Sequence, residues 1–174
     1  MLFELIAAVV AGVALAGIAM SVRWISRGRL PKWIVPAAAG LGMISYAIWS
    51  EYSWFDRMRN SFPQSVVVTW SNTERAIWRP WSYIRPLTTR FTAVETSTAK
   101  RHPQQPGQVM VSMILAARWQ QTTVIKAVFD CDNNRRADLV GNDVSIADDG
   151  SVTGAQWIDL PADDANLKAA CRQP

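Results

Sequence analysis

Val22-Arg23-Trp24-Ile25-Ser26-Arg27-Gly28-Arg29-Leu30-Pro31-Lys32-Trp33 joins two long apolar runs and carries four cations with no acid. On its amino side, Leu5 to Val22 is 18 residues without a charge, and on its carboxy side Trp33 to Ser50 is 18 more. At 1.5 Å rise per residue each run spans roughly 27 Å as a helix, a little short of a ~30 Å hydrocarbon core, so flanking aromatics and snorkelling side chains complete the crossing. Arg23, Arg27, Arg29 and Lys32 between such runs form the positive-inside pattern of a cytoplasmic turn. Trp24 and Trp33 stand at the basic end, and Tyr46, Trp49, Tyr52, Trp54 and Phe55 at the other, as two interfacial belts.

The expectation is a transmembrane hairpin in residues 1–55, with helices at about 5–22 and 33–50 and a cytoplasmic loop at 23–32. Both termini and everything after about Glu51 then lie across the membrane, in the periplasm if this is a bacterial inner-membrane protein. A cleaved secretory signal is the competing reading, because Ala14-Leu15-Ala16 has an A-x-A form. Against it, Met1-Leu2-Phe3-Glu4 has no cation and the arginines follow the apolar run. A hairpin buried in a soluble core is poorer, since a 124-residue remainder could hardly cover two helices apolar all round.

Ala8, Gly12 and Ala16 recur at four-residue spacing, as do Ala38 and Gly42, with Gly40 close by. Small residues in such rows let two backbones approach in lipid, although they are also simply common in membrane helices. No Asp, Glu, Lys, Arg or His interrupts either run, which argues against a transporter or pump.

The 174-residue chain carries a formal charge of +4 and a pI near 9.4. Four cations sit in the bend, however, and residues 51 to 174 hold 14 basic against 13 acidic side chains. The basicity is local, and nucleic-acid binding is not expected. Cys131 and Cys171, the only cysteines, both fall in the far part, where an oxidising compartment would join them. Closing a 40-residue separation would contribute roughly 4 kcal/mol by the loop-entropy relation. The alternative is two unpaired buried thiols.

Residues 56–106 read as a membrane-proximal basic and aromatic segment. Glu51 to Pro63 continues the second helix, Gln64 to Trp70 and Phe91 to Glu95 are strand candidates, and Lys100 to Gly107 is a loop. Arg79-Pro80-Trp81-Ser82-Tyr83-Ile84-Arg85-Pro86 is extended or irregular, because two prolines exclude a helix interior. Residues 107–174 read as a meander. Val109 to Trp119 and Thr122 to Cys131 are strands, Asp132-Asn133-Asn134 turns, Arg136 to Ile146 returns, and Val152 to Ile158 follows Asp148-Asp149-Gly150-Ser151. Ile125, Ala127, Phe129 and Cys131 share one pleat face, so the cysteine points toward the core. Pro161, Asp163 and Asp164 open a short helix to Ala170 that delivers Cys171 to that face. The fold class expected is α+β: a two-helix transmembrane hairpin, then a small antiparallel sheet with a C-terminal helix.

Phe129-Asp130-Cys131, the pair Arg135-Arg136, Gly150, Trp157-Ile158-Asp159-Leu160-Pro161, Leu167 and Ala169-Ala170-Cys171 resemble the surface-adhesin protein E family of bacterial envelope proteins. The resemblance covers about 65 of the 174 residues. It implies a small sheet-plus-helix domain with paired cysteines and a binding role without catalysis. Members are usually secreted or lipid-anchored, whereas this chain has two apolar runs.

Asp130, Asp132, Asn134 and Asp138 occupy positions 1, 3, 5 and 9 of a calcium-loop pattern. Arg135 and Gly141 replace the glycine and glutamate that such a loop needs, so a polar turn is expected instead. His102 has no second histidine or cysteine beside it, Ser112, Ser145 and Ser151 lie in no nucleophile elbow, and no phosphate-cradling glycine loop is present. No catalytic residue, metal, cofactor or small-molecule substrate is therefore expected.

Residues 51 to 101 hold eight basic and four acidic side chains, and residues 102 to 174 six and nine. Arg57, Arg59, Trp78, Arg79, Trp81, Tyr83 and Arg85 are the candidate contact surface. They could form a collar against anionic lipid, a face for a partner protein, or a layer packed under the sheet with solvated arginines. The function expected is a non-enzymatic, membrane-anchored periplasmic protein that binds or positions another envelope protein. The alternative is a periplasmic ligand-binding or sensing domain of a membrane complex.

Overall fold

Leu2 to Ile25 contains no proline and only two charges, and it forms one 24-residue helix, α1 (Leu2–Ile25). It stops where Arg27 and Gly28 turn left-handed, with φ of 50° and 76°, and the Gly28 amide returns to the Arg23 carbonyl at 3.0 Å. After Pro31 a second helix begins, α2 (Ile34–Ser61), with Pro36 in its first turn where a missing N–H costs little. In this computed structural model the described residues are 2–141, 144–147 and 149–172. They fall into two units, 1–57 and 58–174.

Both helices outrun the expected 5–22 and 33–50. The second continues through Glu51 and Arg59 to Ser61, as its aromatic and basic extension suggested. Among the described residues α1 alone is long and apolar enough to cross a membrane. In α2, Pro36, Gly40, Gly42, Ser45 and Tyr46 dilute the apolar content, and the last turns carry Glu51, Asp56, Arg57 and Arg59. The helices meet at two glycines. A Cβ on Gly42 would lie 2.7 Å from the Ala11 carbonyl oxygen, and one on Gly12 would lie 2.9 Å from the Met43 side chain. Gly40 has nothing within 4 Å, so only part of the small-residue pattern serves the contact. Buried Ser50 donates its hydroxyl to Glu4 Oε1 at 3.1 Å, joining the start of α1 to the middle of α2.

The second unit holds a curled antiparallel sheet of β1 (Val66–Glu74), β2 (Leu87–His102), β3 (Gln105–Ala117), β4 (Thr123–Asp130) and β5 (Arg135–Leu139). A sixth strand, β8 (Trp157–Asp159), pairs with β5. Two short strands, β6 (Ser145–Ile146) and β7 (Val152–Thr153), form a separate ribbon. Helix α3 (Ala165–Cys171) closes the chain.

Three expectations change here. Lys100 to Gly107 is not a loop: β2 runs to His102 and β3 starts at Gln105, with Pro103 in the tight connection. Pro106 is tolerated because the pairing shifts register between Arg101 and His102, which frees its position from the ladder. That pairing also crosses the expected boundary at 106/107, so residues 58–174 form one unit. Arg136 to Ile146 and Val152 to Ile158 are not continuous strands either. Gly141, Gly150 and Gly154 adopt φ of 114°, 80° and 78°, and these left-handed positions break the run into β5, the β6–β7 ribbon and β8. The expected strand also covered Asn142 and Asp143, which lie outside the described residues, as does Asp148 of the expected turn.

The core forms on one face of the sheet. Val94, Val109, Val111, Met113, Ala127 and Phe129 are buried there under Leu167 and Ala170 of α3. Ile125 and Cys131 pack at its margin, as the pleat alternation requires. On the opposite face Phe91, Ala93, Ile114 and Ala116 are buried, and Phe62 meets Phe91 edge-on with ring centroids 6.4 Å apart. α3 is held at both ends. Asp164 caps it by accepting the amides of Asn166 and Leu167, each at 2.9 Å, and its last residue forms the Cys131–Cys171 disulfide.

Candidate functional site

Asp130, first in the calcium-like spacing, ends β4 and is only 2% exposed. Its Oδ1 accepts the amides of Asp132 (3.2 Å) and Asn133 (3.1 Å). Its Oδ2 accepts the Asn133 side chain and two nitrogens of Arg135, each at 2.9 Å. Five donors fill both oxygens. Asn134 takes φ of 51°, Asp138 pairs with Arg136 at 2.8 Å, and the Arg135 guanidinium lies 4.5 Å over the Trp157 ring. The Asp-x-Asp-x-Asn spacing here builds a turn. Burial pushes the Asp130 carboxyl upward, but the Asn133 side chain, the Asn133 amide and Arg135 together outweigh it and hold it below its ordinary value.

His102 packs against Gly150, where a Cβ would meet the ring at 2.6 Å, and its Nδ1 accepts the Gln104 amide at 3.3 Å. Ser151 donates its hydroxyl to Asp149 Oδ1 at 2.7 Å. That bond and the Ser151 amide hold Asp149 below its ordinary value. His102 and Ser151 thus each have a local partner.

The sheet's other end is different in character. Between β1 and β2 the chain folds over a 3₁₀ turn, Pro80–Tyr83, and Ala76 bridges to Arg79. Buried Ser82 fastens this loop by accepting the Ala76 amide at 2.9 Å. Fixed in this way, the loop presents apolar side chains outward: Ile77 is 82% exposed, Trp78 79% and Ile84 90%, with Tyr83 also exposed. Arg75, Arg79, Arg85 and Arg90 lie along the same stretch, with no acid between Glu74 and Glu95. Next to it the β3–β4 turn carries Trp119 at φ of 72°, with the Arg118 guanidinium 4.4 Å over its ring. A hollow of about 240 Å³ lies among Trp78, Arg79, Arg118 and Trp119.

Of the candidate contact residues, Trp78, Arg79, Trp81, Tyr83 and Arg85 come together in this loop. Arg57 and Arg59 lie on α2; the nine residues of β1 follow Arg59 before the loop begins, and the Arg57 guanidinium stacks over Trp49 at 5.0 Å. Trp81 is half-buried, whereas Trp78 and Tyr83 are exposed. Sequence reasoning missed Ile77, Ile84 and Trp119. The available signal was an Ile-Trp and a Tyr-Ile pair beside prolines, apolar doublets in a stretch that could be neither strand nor helix.

A second concavity, a half-open groove of about 510 Å³, lies where the sheet passes beyond α3. Trp70, Thr92, Leu115 and Thr123 are directly opposed across β1 to β4, and Thr92 follows the same pleat face as core residue Val94. Trp70 is 48% exposed. Glu74 meets Arg90 at 3.6 Å and accepts from Asn72 at 2.9 Å, while Gln120 and Gln121 close the far side.

No known protein family matches the chain, and neither a curated protein nor a solved structure is similar to it.

Proposed function

We propose that this is a non-enzymatic inner-membrane protein whose α1 and α2 form a transmembrane hairpin, with Arg23, Arg27, Arg29 and Lys32 on the cytoplasmic side. In this reading residues 58–174 stand in the periplasm, where Cys131 and Cys171 stay oxidised, and they dock on another envelope protein through the β1–β2 loop. The observation that carries it is the cluster of Ile77, Trp78, Tyr83 and Ile84 held outward by a fastened loop. Contiguous exposed apolar residues on a rigid turn are the composition of an interface, and Trp, Tyr and Arg are its usual anchors. Arg75, Arg79 and Arg85 around them call for an acidic rim on the companion.

Trp78→Ala combined with Ile84→Ala removes apolar contact without touching a buried side chain. A companion that co-purifies in mild detergent should bind the double variant at least about 30-fold more weakly, the loss expected of hot-spot residues worth about 2 kcal/mol. Unchanged affinity would contradict docking through this loop. Recruitment to vesicles of anionic lipid, with no protein companion, would assign the loop to a membrane surface instead.

The groove beside Trp70 favours a second reading, ligand binding by the same domain. A ligand-induced rise in melting temperature that disappears with Trp70→Ala would support it.

A further inference from the structure

We propose that the Trp70 groove binds an uncharged sugar chain. This rests on the ligand-binding reading and gives that ligand a chemical class. A pyranose ring has one face of C–H bonds and an equatorial rim of hydroxyls, each both donor and acceptor. A site for it needs a flat apolar platform, neutral hydrogen-bonding groups around the platform, and room for a chain to enter and leave.

The groove supplies all three. Trp70 is half exposed in the groove, whereas Phe91 and Phe129 of the same sheet are buried. An indole face of this kind stacks on apolar C–H surface. Around it stand the amides of Gln120 and Gln121 and the hydroxyls of Thr92 and Thr123, groups able to donate and accept. Glu74 and Arg90 add an acceptor and a donor side by side, both about half exposed, and their opposite charges cancel. The volume, about 510 Å³, falls in the range of ligand sites, and the half-open form suits a chain better than an enclosed small molecule.

The same observations disfavour other ligands. A phosphate or a carboxylate chain calls for cations not already engaged, whereas of the two in the lining Arg90 is held by Glu74 and the Arg118 guanidinium lies 4.4 Å over the Trp119 ring. A divalent metal calls for several carboxylates, and Glu74 is the only one among the described residues of the lining. An acyl chain would leave the glutamine and threonine groups without partners.

The test uses the full chain in phosphatidylcholine nanodiscs, which avoids sugar-headed detergents, titrated with cellotetraose, tetra-N-acetylchitotetraose, tetragalacturonate and tetra-alanine while tryptophan fluorescence is read. At least one neutral tetrasaccharide should bind saturably at or below about 10 mM, a weak-binding range appropriate to an open groove. Trp70→Ala should weaken it by at least about tenfold and Trp70→Tyr by less, and Glu74→Gln, an exposed change that leaves the core alone, should also weaken it. Trp78→Ala should leave it unchanged. Binding of tetragalacturonate alone, lost on Trp70→Ala, would overturn the uncharged assignment, and binding of tetra-alanine alone, lost on Trp70→Ala, would overturn the sugar assignment, each keeping the groove as a ligand site. Binding of none of the four would overturn both, and the docking loop would be unaffected.

Discussion

Replacing Cys131 and Cys171 together with serine should lower the stability of the sheet domain by roughly 4 kcal/mol, from the loop-entropy relation for 40 residues. For a domain of ordinary stability that is a large fraction of the total. The structural reason is the brevity of α3. Seven residues are too few to hold a helix alone, so α3 depends on its Asp164 cap, on Leu167 and Ala170 against the sheet, and on the covalent link at its last residue. Without the link, loss of α3 uncovers Val109, Phe129 and their neighbours on the core face. Denaturant unfolding followed by tryptophan fluorescence should show the midpoint falling in the double serine variant, and falling by a similar amount in the parent under strong reductant. An unchanged midpoint in both would mean that α3 packs without its covalent tie.

Asp130→Ala should cost about 3 kcal/mol, because it removes the acceptor that organises the β4–β5 turn and strands the donors of Asn133 and Arg135. Its pH dependence has a fixed sign. The folded carboxyl is held below its ordinary value, so its contribution is fully present above the unfolded value of about 4 and is lost as pH falls through the folded one. Parent and variant unfolding free energies should therefore differ most near neutrality and converge below about pH 4. A difference that stays constant down to pH 2 would show that the alanine acts through packing rather than charge.

Those two features were legible in different degrees. The cysteine pairing followed from two residues and a strand parity, because Ile125, Ala127, Phe129 and Cys131 alternate cleanly on a strand with one buried face. The Asp130 turn was legible as a turn, but its burial was not, since composition does not say how many donors converge on one carboxylate. Strand β2 was read as five residues and has 16, because Thr88, Thr89, Thr92, Thr96 and Thr98 hide its apolar alternation. The β6–β7 ribbon was hidden by glycines whose left-handed φ appears only in three dimensions. At the candidate site, Trp78 and Tyr83 were found by residue type, and their exposure follows from a loop that Ser82 fastens, which composition does not reveal. Trp70 was read only as the end of a strand, and its role depends on where α3 stops covering the sheet.

Sidedness is tested most directly by labelling single-cysteine variants with a membrane-impermeant thiol reagent on intact spheroplasts. Cys131 and Cys171 are bonded to each other and do not compete. Trp78→Cys should label without permeabilisation, and Arg27→Cys only after lysis. Labelling of Arg27→Cys on intact cells, with Trp78→Cys reacting only after lysis, would place the sheet domain in the cytoplasm and remove the basis for both the oxidised pair and an envelope companion.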